Sequence, residues 1–247
     1  MGHRPGFRAA AFWIILAVMG RAQSQQPIRL VFDLHVDPIP NGLPLGAKVT
    51  EYQTRVQYMN WVLDQVEPNG VKVSFLSSGQ FMELLVLDGP TGVGATALQR
   101  MWNFGSSNQI GSHSHTEVRL GAFNWTNLNG GTATAAQVNQ NWTDNVTWVN
   151  NAIQTAFPTL PEPLAAMNCV RGSHLPANEP DFHTLMASFG FPTRQGGPEE
   201  DYYGTYAHHI WNPYRPSPGN YLDEDLSGTF VQSTQGSGIG QQAVHHG

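Results

Sequence analysis

The chain has little of what several protein classes need. It contains one cysteine, Cys169, among 247 residues, so an internal disulfide and a zinc–thiolate cluster are both excluded. Charged residues make up only 12%, the formal net charge is −6, and no basic cluster follows the first residues. A nucleic-acid partner is therefore disfavoured, because binding to phosphates needs clustered lysine and arginine.

Two groups of catalytic motifs are also missing. No G-x-S-x-G sequence occurs, which disfavours a Ser–His–Asp hydrolase. Neither a G-x-x-x-x-G-K loop nor a dinucleotide-binding fingerprint follows a predicted strand, which disfavours phosphate-loop chemistry. What the chain does have is 40% hydrophobic residues and 11% aromatic residues, enough for a sizeable core.

The first residues have the order of a secretory signal. Arg4 and Arg8 precede an apolar run over 9–20, which ends at the small residue Gly20, and the small residue Ala22 follows shortly after. This pattern predicts a signal peptide over 1–24 and a domain over 27–247, in a secreted or periplasmic protein without a stable membrane span after cleavage. An uncleaved anchor is the alternative, although the apolar run is short for a bilayer.

Strand and helix patterns alternate along the middle of the chain. Helical periodicity is clear over 51–66, and Thr134 is suited to cap a long helix that ends before Pro158. The order predicts an α/β fold with a largely parallel sheet, closed into a barrel or left as an open wound sheet. In both, the functional site lies at the carboxyl ends of the strands. Regularity fades from Gln195 onward.

Polar residues alternate along the first predicted strand. Asp33, His35 and Asp37 are separated by Leu34 and Val36, so their side chains share one face. Idle polar groups on a covered strand are costly, which favours a functional site over a solvated edge.

The segment "GSHSHTE" places two imidazoles and a carboxylate within five positions. A helical turn starting near Ser112 would put His113 and Glu117 on one face, whereas an extended segment would align His113, His115 and Glu117. Either geometry offers at least two ligands of the kind that Zn²⁺ prefers.

Four segments in order resemble polysaccharide deacetylases of the NodB-homology type, carbohydrate esterase family four. They are "FDLHVDP", "VKVSFLSSG", "QIGSHSHTE" and "NCVRGSH", and the resemblance covers about Arg29 to Phe191. It implies a distorted (β/α) barrel, which would be incomplete if the chain ends before the barrel's last strands. It also implies a divalent metal, Zn²⁺ above all, and removal of acetyl groups from a polysaccharide or an amino-sugar oligomer.

The resemblance also implies residue roles. Asp37, His113 and Glu117 would bind the metal, Asp33 would be the base, and Arg171 would orient that base. The family has two adjacent aspartates where this chain separates Asp33 from Asp37, so the reverse assignment stays open. The family's second metal histidine falls at Glu117, and a surface ion pair is the alternative role for Arg171.

A histidine would protonate the leaving amine, either His174 or one of His208, His209 and His245. The residues expected to contact the substrate are His35, His115, Trp211, Tyr214 and Arg215. Two further readings stay open: a catalytically impaired carbohydrate-binding protein on the same fold, and a metal-dependent hydrolase of other amides or of O-acetyl esters. Three N-x-T sequons, at Asn124, Asn141 and Asn145, matter only in an organism that glycosylates its proteins.

Overall fold

A computed structural model describes residues 32–105, 110–114, 117–128, 132–160, 167–172, 179–195, 214–220 and 223–233. The predicted signal peptide over 1–24 lies outside them. From Phe32 onward the chain forms one compact unit.

Eight strands and five α-helices are assigned in the described residues. In chain order they are β1 (Phe32–Val36), α1 (Leu45–Val66), a 3₁₀ turn (Glu67–Asn69), β2 (Val73–Ser77), α2 (Gly79–Asp88), α3 (Val93–Gly105), β3 (Ile110–Ser114), β4 (Glu117–Gly121), β5 (Asn124–Asn127), α4 (Ala135–Ala156), β6 (Met167–Gly172), α5 (Glu179–Phe189), β7 (Thr193–Gln195) and β8 (Val231–Ser233).

Six of the strands form one parallel sheet in the order β1-β2-β3-β6-β7-β8. The predicted α/β fold with a parallel sheet is confirmed. Within the described residues β1 and β8 lie at opposite ends of the sheet, and no closed barrel is formed. Parallel strands bring their carboxyl ends to one edge, which is where β1 and β3 deliver the candidate site.

The long helix α4 starts where the sequence predicts. The Thr134 hydroxyl accepts a hydrogen bond from the backbone N–H of Gln137, and the Gln137 side-chain oxygen accepts one from the backbone N–H of Thr134, which completes a capping box. Buried residues then recur at helical spacing, including Trp142, Val149 and Ile153. This amphipathic pattern anchors α4 against the sheet.

The segment after β3 differs from the helical alternative. Parallel pairing with β6 keeps β3 extended as far as Ser114, opposite Gly172, and Glu117 then opens a separate antiparallel hairpin of β4 and β5. No helical turn begins at Ser112. The hairpin was not predicted from the sequence, and its turn holds Phe123 at a φ of 56°.

The core lies between the sheet and the packed helices. It includes Val36, Phe75, Ile110 and residues from each of the five helices. No helix in the described ranges is both long and apolar enough to cross a bilayer.

Candidate functional site

An aspartate and a histidine meet at the carboxyl ends of β1 and β3. Asp37 directly follows β1, and His113 is the fourth residue of β3. The His113 Nε2 and Asp37 Oδ1 atoms are 3.1 Å apart. The His113 side chain is buried, whereas the Asp37 side chain is 62% exposed. The pair is therefore anchored from inside and open to solvent through its carboxylate.

His35 packs against the His113 side of this pair. Its ring stacks on that of His113, with centroids 4.9 Å apart and an interplanar angle of 18°. The stacking fixes the plane of the His113 imidazole. On the other side, Arg55 of α1 donates to the backbone carbonyl of Asp37 and is held by Glu51 at 2.9 Å. These contacts attach the segment after β1 to α1.

A cavity of about 260 Å³ adjoins the pair. It lies between β1 and α1, and Tyr58 on its rim is 65% exposed. The volume is slightly below the range of about 300–1,000 Å³ that holds a drug-sized ligand, so it suits one group of a larger substrate. The lining residues are Leu34, His35, Val36, Asp37, Arg55, Tyr58 and Met59.

Two other predicted site residues are placed by their backbones. Asp33 lies in β1 opposite Ser74 of β2. Arg171 lies in β6 directly opposite His113 of β3. Their side chains lie outside the described part of the chain. The sheet register nevertheless puts the Arg171 position beside that of His113.

Glu117 is fully buried on a different side of β3. Successive residues of a strand point to opposite faces, so Ser114 and His113 point apart. The Glu117 carboxylate lies 3.5 Å from the Ser114 hydroxyl, and Ser114 in turn donates to Asn141 of α4 at 2.6 Å. The structure thus brings Asp37 and His113 together and places Glu117 with Ser114 and Asn141.

Among the described residues, no group of three or more His, Cys, Asp and Glu side chains has the arrangement of a metal site. Of the three predicted ligands, Asp37 and His113 are in contact with each other, whereas Glu117 contacts Ser114 instead.

Two asparagines of α4 hold the corner between β3 and β4. Asn141 and Asn145 both donate to the backbone carbonyl of Glu117. The Asn145 side chain also accepts from the backbone N–H of Gly79 at 2.7 Å, which ties in the start of α2. Neither asparagine was predicted to have this role. Their spacing of four residues, which places two amides on one helix face, is the signal that points to it.

A buried carboxylate, Glu83 of α2, was also missed. It is 2% exposed and accepts hydrogen bonds from the Arg119 guanidinium, the Phe123 backbone and the Trp125 indole, the last at 2.7 Å. The Arg119 guanidinium also lies over the Trp148 ring, 4.8 Å from its centroid. A single carboxylate inside the apolar run "QFMELLVL" was the available signal, because buried glutamates are rare unless paired.

Of the remaining predicted contact residues, Tyr214 and Arg215 are described, and the others lie outside the described ranges. Tyr214 is 4% exposed, so its ring offers little surface to a sugar. The Arg215 guanidinium donates to the Gly228 carbonyl at 2.6 Å. The residues outside the described ranges are His115, His174, His208, His209, Trp211 and His245.

Comparisons of the chain with models of protein families, with curated proteins and with solved structures found no match.

Proposed function

We propose that the chain is a metal-dependent hydrolase that removes N-acetyl or O-acetyl groups from a polysaccharide, on a distorted barrel of the deacetylase type. One observation carries the proposal: the Asp37 carboxylate and the His113 imidazole converge at the carboxyl edge of a parallel sheet. Such an edge is where α/β enzymes place their chemistry.

The geometry of the pair fits two ligands of one cation. Zinc binds nitrogen and oxygen donors at about 2.0–2.1 Å, so two donors of a tetrahedral site lie about 3.3 Å apart. The Nε2–Oδ1 separation of 3.1 Å is close to that edge. The stacked His35 ring orients the imidazole, as the supporting shell of a metal site does.

The third protein donor is proposed to come from the segment that follows His113. His115 is the candidate, because Glu117 is held in the interior by Ser114 and by the corner that Asn141 anchors. When bound, a divalent metal would polarise the acyl carbonyl and lower the pKa of a water molecule.

The chain's own residues supply the proton transfers in this proposal. Asp33 takes a proton from the attacking water, and Arg171, whose position adjoins that of His113, keeps that carboxylate ionised and oriented. His174 protonates the leaving amine. The cavity beside Asp37 accommodates part of the substrate, with the exposed Tyr58 ring on its rim as a surface for a sugar.

The experiment is an assay of acetate release. The purified chain is incubated with acetylated chitooligosaccharides, acetylated cell-wall glycans and O-acetyl esters, with and without added Zn²⁺. Release is expected for the wild type with metal and is expected to be lost in His113→Ala. Full activity of a folded His113→Ala variant would refute the proposal.

A second candidate is a carbohydrate-binding protein without catalysis. The observation that favours it is the burial of Glu117 away from the Asp37–His113 pair. This alternative predicts glycan binding, seen by calorimetry, with no acetate release from any member of the substrate panel.

A further inference from the structure

The three N-x-T sequons of the chain sit in contrasting surroundings. Asn124 is exposed at the start of β5, whereas Asn141 and Asn145 of α4 are 2% and 0% exposed. The sequon threonines of α4, Thr143 and Thr147, are exposed on its outer face. The motif alone does not distinguish these sites, but burial does.

A glycan on either α4 asparagine is incompatible with the fold. The Asn145 Nδ2 atom donates to the Asn141 carbonyl at 2.8 Å and to the Glu117 carbonyl at 3.2 Å. A bond from Nδ2 to a sugar would replace one of its two hydrogens and place a bulky ring where the side chain has no exposed surface. Asn141 is restricted in the same way by its bonds to Ser114 and Glu117.

Asn124 has none of these restrictions. It follows the hairpin turn at Ala122 and Phe123, and its backbone pairs with Gly121. Its neighbour Trp125 points inward, with its indole donating to Glu83, so the alternation of the strand directs Asn124 outward. A glycan there would extend into solvent without displacing a protein contact in the described hairpin.

We propose that Asn124 is an N-glycosylation site, and that a folded, secreted chain carries glycan there and at neither Asn141 nor Asn145. The donor is a lipid-linked oligosaccharide. The Asn124 Nδ2 atom forms a bond to the anomeric carbon, the bond from that carbon to the lipid pyrophosphate breaks, and the amide proton passes to a base. The lipid pyrophosphate leaves, and nothing is oxidised or reduced.

Because β5 is fixed in a hairpin once folded, modification precedes folding, and folding then selects among the modified chains. Chains that receive a glycan at Asn141 or Asn145 are expected to be retained and degraded. Chains with a glycan at Asn124 alone are expected to fold. This inference is independent of the proposed catalytic function.

The test is to secrete the full chain, preceded by a host leader, from insect cells, and to map glycans by peptide mass spectrometry. Enzymatic release converts an occupied asparagine to aspartate, which marks the site. Two variants serve as controls. Thr126→Ala removes the Asn124 sequon, and the double change Thr143→Ala with Thr147→Ala removes the two α4 sequons without altering their asparagines.

The expected wild-type product has one glycan, at Asn124. The double threonine variant is expected to show the same single glycan with equal or higher secreted yield, and Thr126→Ala is expected to leave the secreted chain without glycan. Glycan at Asn141 or Asn145 in secreted chain with wild-type thermal unfolding would overturn the proposal, as would secreted wild type with an unmodified Asn124.

Discussion

Glu83 and Asp37 each contact a basic side chain, but the two carboxylates differ in how far they are buried. Glu83 is 2% exposed and has hydrogen bonds to both of its oxygens from three different residues of the β4–β5 hairpin. The Asp37 side chain is 62% exposed and meets the buried His113 at 3.1 Å. The first group is enclosed by its partners, whereas the second keeps a face open to solvent.

The comparison supports a structural role for Glu83 and is consistent with the functional role that we propose for Asp37. A buried carboxylate whose two oxygens both accept hydrogen bonds has a structural role, because its removal leaves its partners without an acceptor. A carboxylate that is largely exposed adds little stability through its contact with the His113 imidazole. We therefore expect changes at Glu83 to alter folding and changes at Asp37 to alter activity.

The largest expected effect is on catalysis at the exposed carboxylate. In the proposed function, Asp37→Asn weakens one of the two metal ligands and is expected to lower kcat/KM for deacetylation by at least about 100-fold. The free energy of unfolding is expected to change by less than about 0.5 kcal/mol, because the group is exposed. Acetate release and urea unfolding measure the two.

Asp64 provides a matched control, since its side chain is 60% exposed and pairs with Arg100 away from the site. Asp64→Asn is expected to leave deacetylation unchanged. Equal losses in the two variants would remove the special role of Asp37.

The buried carboxylate is expected to show the reverse pattern. Glu83→Ala leaves the Arg119 guanidinium and the Trp125 indole without their acceptor, and is expected to cost about 3–5 kcal/mol of unfolding free energy. Activity per folded molecule should persist. Glu51→Ala, at a side chain that is 41% exposed, is the control and should cost less than about 1 kcal/mol. A small loss for Glu83→Ala would contradict the structural role.

The next largest effect on the free energy of unfolding is expected at Asn145, which holds the corner between β3 and β4. Asn145→Ala removes the acceptor of the Gly79 N–H and the donor to the Glu117 carbonyl, both in the interior. The expected cost is about 2 kcal/mol, since the buried Gly79 N–H is left without its acceptor, whereas the Glu117 carbonyl keeps its hydrogen bond from Asn141. Asn139→Ala, at an exposed position of the same helix, is the control and should change stability little, as thermal unfolding would show.

The smallest effect is expected at a third interior polar contact. The Tyr52 hydroxyl donates to Asp88 at 2.9 Å, and burial followed by that hydrogen bond raises the pKa of Tyr52 above its ordinary value of 10.0. Tyr52→Phe should cost about 1 kcal/mol at neutral pH. A raised pKa means that the neutral form stabilises the fold, and that this contribution is lost as the pH rises above 10.

The difference in unfolding free energy between wild type and Tyr52→Phe should therefore shrink above pH 10. Tyr58→Phe, at a side chain that is 65% exposed, is the comparison. A difference that stays constant up to pH 11 would contradict the assigned cause of the shift.

Local signals in the sequence identified the elements that depend on nearby residues. Thr134 as a helix cap and the helical spacing predicted α4, and the alternation of polar and apolar residues predicted the strand β1. Such features depend on only a few consecutive residues, so they can be predicted from the sequence without knowledge of the fold.

Contacts between segments that are distant in the sequence could not be predicted in this way. Glu83 meets Arg119 across 36 positions, and the Glu117 carbonyl meets Asn145 across 28. The burial of Glu117 depends on α4, so its sequence neighbours His113 and Ser114 did not reveal it. The β4–β5 hairpin was not predicted because its strands are short and because β4 begins with two consecutive buried residues, Glu117 and Val118, instead of alternating.

Zinc titration of the purified, metal-free full chain by calorimetry tests the central claim most directly, with His113→Ala and Asp64→Asn titrated alongside. The account predicts that the wild type and Asp64→Asn each bind one Zn²⁺ per chain. A folded His113→Ala variant is expected to bind zinc at least about 100-fold more weakly, because it lacks one of the two proposed ligands. Equal zinc affinity in the wild type and His113→Ala would contradict it.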